Sequence, residues 1–152
     1  MATASTLATG ADVASAEQAS VAEMLSAYVA HAPFCTHLGL RADAVEHDHV
    51  RLAMPFAEQL VTVGDIIHGG AISSLIDTAA TVAAWSGLES LADARGTTVS
   101  LTVNFVAAAR AQDLVADARI VRRGRSICFC EVDVEDAGGT TVAKGLVTYK
   151  LG

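Results

Sequence analysis

An α+β fold, with one antiparallel β-sheet wrapped around a single long central helix, is predicted by three features of this sequence. The first is the run HGGAISSLIDTAATVAAWSGL, residues 68–88, which is rich in Ala, free of Pro and apolar almost all the way round. A helix of that kind is buried on most of its sides. The second is the C-terminal third of the chain. Four runs there, at about 97–106, 112–122, 126–135 and 140–149, alternate apolar and polar residues as half-buried strands do. The third is size: 152 residues make one domain with enough chain to bury a real core. Strands with one apolar face must then cover the helix, and a sheet curled around it is the economical arrangement.

Residues 1–18 are small, polar and aperiodic, and are expected to form a flexible arm ahead of a domain spanning 19–152. Val21, Met24, Leu25 and Val29 recur at helical spacing and predict a short helix from about 18 to 32, which Pro33 cannot continue. Two strands are expected at 38–46 and 49–55, split by the polar His47-Asp48-His49. Residues 57–67 are expected to be loop. Beyond the long helix and the segment 89–96, Val99, Leu101, Val103 and Phe105 mark the apolar phase of the first later strand; Cys128, Cys130, Val132 and Val134 mark that of the third. Arg123-Gly124 and Gly138-Gly139 are the hairpin turns, where glycine supplies the backbone freedom. Ala107–Gln112 makes the remaining connection.

Composition narrows the function. Hydrophobic residues are 52% and charged residues 18%, which excludes a mainly disordered chain. No stretch of ~20 residues is free of polar and ionisable groups, so no membrane association is expected. The start of the chain has no basic segment and no apolar stretch of a secretory signal, and Cys35, Cys128 and Cys130 form no even framework. A cytoplasmic location is the expectation. A net charge of -7 argues against nucleic acid as a partner. Arg119, Arg122, Arg123 and Arg125 nevertheless cluster, and a local basic patch on an acidic protein suits a small anionic ligand.

Asp77 is the one charged residue between Gly69 and Leu88. A carboxylate on an apolar helix is costly unless paired or solvated. It is either a structural Asp bonded to backbone or to Ser73, Thr78 or Thr81, or a base or nucleophile. Thr81 lies four residues on and shares its face; alone it is expected to bond back to the carbonyl four residues earlier. At the helix start, Gly69 and Gly70 after His68 allow close approach of a ligand. The free N–H groups there suit an anion or a developing oxyanion. His68 by itself is more often structural. Gly69 and Asp77 are eight residues apart, ~12 Å along a helix axis. Both cannot act on one carbonyl within a chain, so a shared catalytic role requires an obligate homodimer with two composite sites. Arg122, Arg123 and Arg125 flank a glycine turn and are either a phosphate site or a solvated hairpin tip. Ser100, Thr102 and Asn104 form the polar phase of a strand, by default a wet or interfacial face. His47 and His49 lack a third ligand, so no metal is expected.

HGGAISSLIDTAATVAAW, with VSLTVNFVAAARAQDLVADARIVRRGRSICFCEVDVED and AGGTTVAKGLVTYKL after it, resembles the hotdog-fold acyl-CoA thioesterases of the phenylacetate-pathway and 4-hydroxybenzoyl-CoA type, over residues 34–150. The resemblance implies a hydrolase of acyl-CoA thioesters, with coenzyme A entering only as part of the substrate and no other cofactor. It implies Asp77 as base or nucleophile and the Gly69 amide, beside His68, as the group polarising the carbonyl. Thr81 and Ser100 match helper positions; Gly70, Thr62 and Asn104, with Arg122, Arg123 and Arg125, match substrate- and CoA-binding positions. A homodimer, paired further into a homotetramer, is the implied assembly. One departure is clear: relatives carry Asn or Gln where Thr62 stands, and Gln59 or Asp65 would have to take over. Two rivals remain: a non-catalytic acyl-CoA sensing module, and a hydratase using His68.

Overall fold

The computed structural model describes residues 19–92 and 94–152; the expected arm at 1–18 lies outside them. The described residues open with helix α1, Val21–His31, whose start is a reciprocal cap. Ser20 Oγ accepts the Glu23 N–H, and the Glu23 carboxylate accepts from the Ser20 N–H at 2.7 Å. Leu25 and Val29 are buried, whereas Met24 is half-exposed.

Pro33 ends α1 as expected, but it also begins a second helix, α2, Pro33–Leu38. The strand expected from residue 38 therefore starts later. Proline fits the first turn of a helix, where its missing N–H has no intrahelical acceptor. Gly39, at φ +71°, closes α2 in the left-handed conformation. Six residues are too few for a helical period to show against neighbouring strands.

Strands β1, Arg41–Glu46, and β2, His49–Met54, form a hairpin around His47-Asp48. The stretch 57–67, expected to be loop, holds a single 3₁₀ turn and a small hairpin of β3, Val61–Val63, and β4, Ile66–Ile67. Then comes α3, Gly69–Ser86, the predicted central helix. Strands β5 (Gly96–Phe105), β6 (Leu114–Arg123), β7 (Ile127–Asp136) and β8 (Thr141–Leu151) complete the chain. The main sheet is antiparallel with order β1-β2-β6-β7-β8-β5, so the α+β prediction of a sheet around one long helix holds.

The inner face of the sheet carries Leu52, Met54, Leu114, Val132, Val134 and Val142 against Leu75, Ile76 and Val82 of α3, all fully buried. Small residues let helix and sheet approach: Ala79, Ala80 and Ala83 on α3, Ala116 and Ala118 on β6. At Gly145 no side chain would fit, since a Cβ would lie 2.5 Å from Ile76 Cγ2.

Two bulges lie on one cross-sheet row. Arg122, Phe129, Thr148 and Ser100 stand opposite one another across β6, β7, β8 and β5, and the register shifts beside that row at Val121 and at Val99. An extra residue turns the side chains beyond it to the other face. Val99 is consequently 58% exposed and not in the apolar phase expected for it. Among the described residues, no helix is long and apolar enough to cross a membrane.

Candidate active site

The start of α3 is set by His68. Its ring Nδ1 accepts the Gly70 N–H at 2.7 Å, capping the helix. With Nδ1 an acceptor, the proton of the neutral ring sits on Nε2. The expectation of several free amides is thereby narrowed. The Gly70 N–H is occupied, while among the described residues no acceptor meets the Gly69 N–H. Phe105 lies across Gly69, where a Cβ would be 3.1 Å from the ring Cζ. A side chain at Gly69 would press on that ring, which would have to give by a few tenths of an ångström. A shallow groove of about 200 Å³ runs beside this turn, lined by Phe34, Gln59, His68, Gly70 and Ser74 among others.

Asp77 lies two turns further along α3 and is half-buried. Its Oδ1 accepts the Thr98 hydroxyl at 2.6 Å. None of Ser73, Thr78 or Thr81, the partners considered from sequence, holds it; Thr78 instead donates to the Ser74 carbonyl at 2.8 Å. Among the described residues, Oδ2 of Asp77 meets no donor. The Thr81 hydroxyl also makes no bond there, so the expected back-bond of Thr81 is absent. The result is a carboxylate fixed through one oxygen and open through the other, with a free hydroxyl one turn away.

Several predicted site residues lie elsewhere. Ser100 is opposite Thr148 and lines a groove on the outer sheet face with Phe129 and Leu146, away from α3. Its hydroxyl is not on Asp77: the bulge at Val99 gives Thr98 the inward place and turns Ser100 outward. Asn104 is opposite Lys144 and shares that outer face, while its neighbour Phe105 faces Gly69. Thr62 is exposed on β3 and does not line the groove at the α3 start. Of the two substitutes considered, Gln59 is in that groove, whereas Asp65 is held by Arg110 at 2.7 Å.

The arginines divide. Arg122 and Arg125 are exposed. Arg123 is turned inward by the Val121 bulge and is no part of an open anion site. Its Nε donates to Asp48 Oδ1 at 2.8 Å and its Nη2 to the Ala84 carbonyl at 2.9 Å, so it caps the C-terminus of α3. Gly87 leaves room for that guanidinium, which any side chain there would overlap.

Sequence reasoning missed Thr98 and Phe105 as site residues. Thr98 stands two residues from Ser100, and strict alternation puts both on one face; a bulge leaves no compositional mark. Phe105 belongs to the alternating apolar set of its strand yet is 53% exposed, and nothing local says that its ring lies across a helix start 36 positions earlier.

A family model described as the thioesterase superfamily matches residues 64–143, from the β3–β4 turn into β8. The medium/long-chain acyl-CoA thioesterase YigI of Escherichia coli is 30% identical over 157 residues, covering 92% of this chain and 98% of that protein. A thioesterase family protein from Silicibacter pomeroyi has 26% identity and a TM-score of 0.77, over 84% of this chain and 94% of that one. A thioesterase from Haemophilus influenzae has a TM-score of 0.78 over 90% and 92% of the two chains; at 18% identity it bears on the fold alone.

Proposed function

The chain belongs to the thioesterase superfamily and is a thioester hydrolase; from that premise we propose that it cleaves acyl-CoA to a free acid and coenzyme A in sites shared between two protomers. The thioester carbonyl oxygen accepts the Gly69 N–H at the α3 start of one protomer. Asp77 of the other acts on the carbonyl carbon, either by taking a proton from water that then attacks, or by attacking directly. In both routes the tetrahedral oxyanion is held by the helix N-terminus and the thiolate of coenzyme A departs; after direct attack the acyl group is left on Asp77 as a mixed anhydride, which water then hydrolyses to the free acid and the regenerated carboxylate. A solvated thiolate then takes up a proton. The Thr98 hydroxyl orients the Asp77 carboxylate, and Arg122 and Arg125 are the side chains still free for CoA phosphates.

The observation that carries this reading is the pair of groups left unpaired. One N–H at the start of α3 and one oxygen of Asp77 have no partner among the described residues, although their neighbours are bonded. They lie eight residues apart on one helix, ~12 Å by helical rise, which supports a composite site. The relative named for acyl-CoA hydrolysis supports coenzyme A as the leaving group. Gln59 beside His68 and Gly70 offers the amide that Thr62 lacks, which weakens the sensing alternative. His68, bonded through Nδ1 to the chain, is poorly placed as a hydratase base.

The test is free-thiol release from short, medium, long, phenylacetyl and hydroxybenzoyl CoA thioesters, with wild type beside Asp77→Asn. Release by wild type and a loss of at least about a hundredfold in the variant are expected. Equal release by both proteins would remove Asp77 from the mechanism. Binding without release by wild type would return the sensing reading.

A further inference from the structure

Asp77, Thr81 and Trp85 stand at four-residue intervals on α3 and therefore share one stripe of the helix. Trp85 is held from two sides. Tyr28 of α1 lies over it with ring centroids 5.8 Å apart, and Tyr149 of β8 meets it edge-on at 6.5 Å. Tyr149 is buried, whereas Tyr28 is 41% exposed, as is Met24 one turn before it on the same face of α1. Burial raises the pKa of both Tyr28 and Tyr149, and the charge at Asp77 adds to the rise in each. An apolar aromatic wall thus stands across the stripe that leads away from the one open carboxylate.

We propose that Trp85 and Tyr28 close the acyl end of the site and set the longest acyl group the protein accepts. This rests on the reading that Asp77 works at the thioester carbonyl. The carbonyl is then at the Asp77 level, CoA leaves toward solvent, and the acyl tail runs along α3 past Thr81. Eight residues of helix give ~12 Å from Asp77 to Trp85. At ~1.2 Å per bond of extended chain, a straight acyl group of about eight to ten carbons fills that length. Longer chains meet the indole and phenol rings. Tyr28 and Met24 are on α1 and the wall is otherwise on α3 and β8, so the limit depends on how α1 is seated.

Trp85 is the only tryptophan of the chain, which supplies a readout independent of turnover. S-alkyl-CoA thioethers, which cannot be hydrolysed, are titrated into wild-type protein while its emission is monitored. The emission should respond to alkyl length, level off near decyl, and stay unchanged with CoA alone. In parallel, kcat/KM is measured from butyryl- to palmitoyl-CoA for wild type, Trp85→Leu, Tyr28→Ala and an outer-face control, Val121→Ala. Wild type should fall at least about tenfold from octanoyl to palmitoyl. Both wall variants should raise the palmitoyl-to-hexanoyl ratio at least fivefold, and the control should leave it unmoved. Tyr28 is half-exposed, so its variant serves if Trp85→Leu does not fold. Variants that lower all chain lengths equally, or thioethers that leave the emission unchanged, would overturn the wall. No hydrolysis by wild type with a length-dependent emission would remove the hydrolase reading and leave the wall standing.

Discussion

Thr98 and Ser100 stand two residues apart on β5 yet serve opposite faces of the sheet, one on Asp77 and the other beside Phe129. The distinction has a direct kinetic consequence. A hydrogen bond to a carboxylate is worth ~1.5–3 kcal/mol, so Thr98→Val should lower kcat by about ten- to a hundredfold. Thr98→Ser should restore most of it, and Ser100→Ala should stay within about twofold of wild type. A larger loss at Ser100 than at Thr98 would mean that the Val99 bulge is not present during turnover. Asp77 and Gly69 stand out in the sequence as candidates because each breaks a local rule: a lone charge on an apolar helix, and a glycine pair where a helix begins. Thr98 breaks none, and only its register against β8 shows that it faces Asp77. The cysteines illustrate the opposite case, since their alternation correctly implied core packing. Burial pushes the Cys130 thiol up to about 12, and Cys35 and Cys128 are also raised chiefly by burial. Native protein should therefore give no fast reaction with a thiol reagent, and all three should react once it is unfolded.

Among the elements, α3 and the strands were visible as periodic patterns, whereas α2 and the β3–β4 hairpin were too short to express a period. The ends of α3 were only half legible. Its start is marked by HGG, but its C-terminal cap comes from Arg123, 37 positions beyond Ser86, and a bulge brings it there. Arg123 thereby changes from a candidate phosphate ligand into part of the frame. Arg123→Met should destabilise the fold by about 2 kcal/mol in urea denaturation, with little change in KM for acyl-CoA. Arg122→Ala and Arg125→Ala should do the reverse, raising KM without lowering stability. The outer face of β2 and β6 carries a second electrostatic device. Burial raises the pKa of Asp117, but hydrogen bonds and charge from Arg119 and His49 outweigh it and hold the carboxyl below its usual value. A depressed carboxyl contributes stability that is complete above the unfolded pKa, near 4, and is lost as the pH falls through the folded one. The stability gap between wild type and Asp117→Asn should therefore be constant above about pH 5 and close as the pH drops below about 4.

For the whole molecule, the proposed division of the site between protomers would make activity a property of the pair. Specific activity should fall as the protein is diluted through its dimer dissociation constant, in step with the dimer fraction measured by sedimentation; constant activity in fully monomeric protein would end the composite-site model. The spacing of Gly69 and Asp77 alone pointed to such a pair. What the sequence did not disclose is which surface would join it, because strand order is a tertiary property. The sheet has two outer strands of very different character. β1 bears Arg41, Asp43 and Glu46, whereas β5 has no charged residue and shows Val99, Leu101 and Phe105 to solvent. Charges on an outer strand discourage further strand addition, and their absence invites it. Two chains that join through β5 use up the permissive border of each and leave only guarded ones outside. Assembly by this route is self-terminating: the same asymmetry that favours the first union denies the product a surface from which to grow into a fibre.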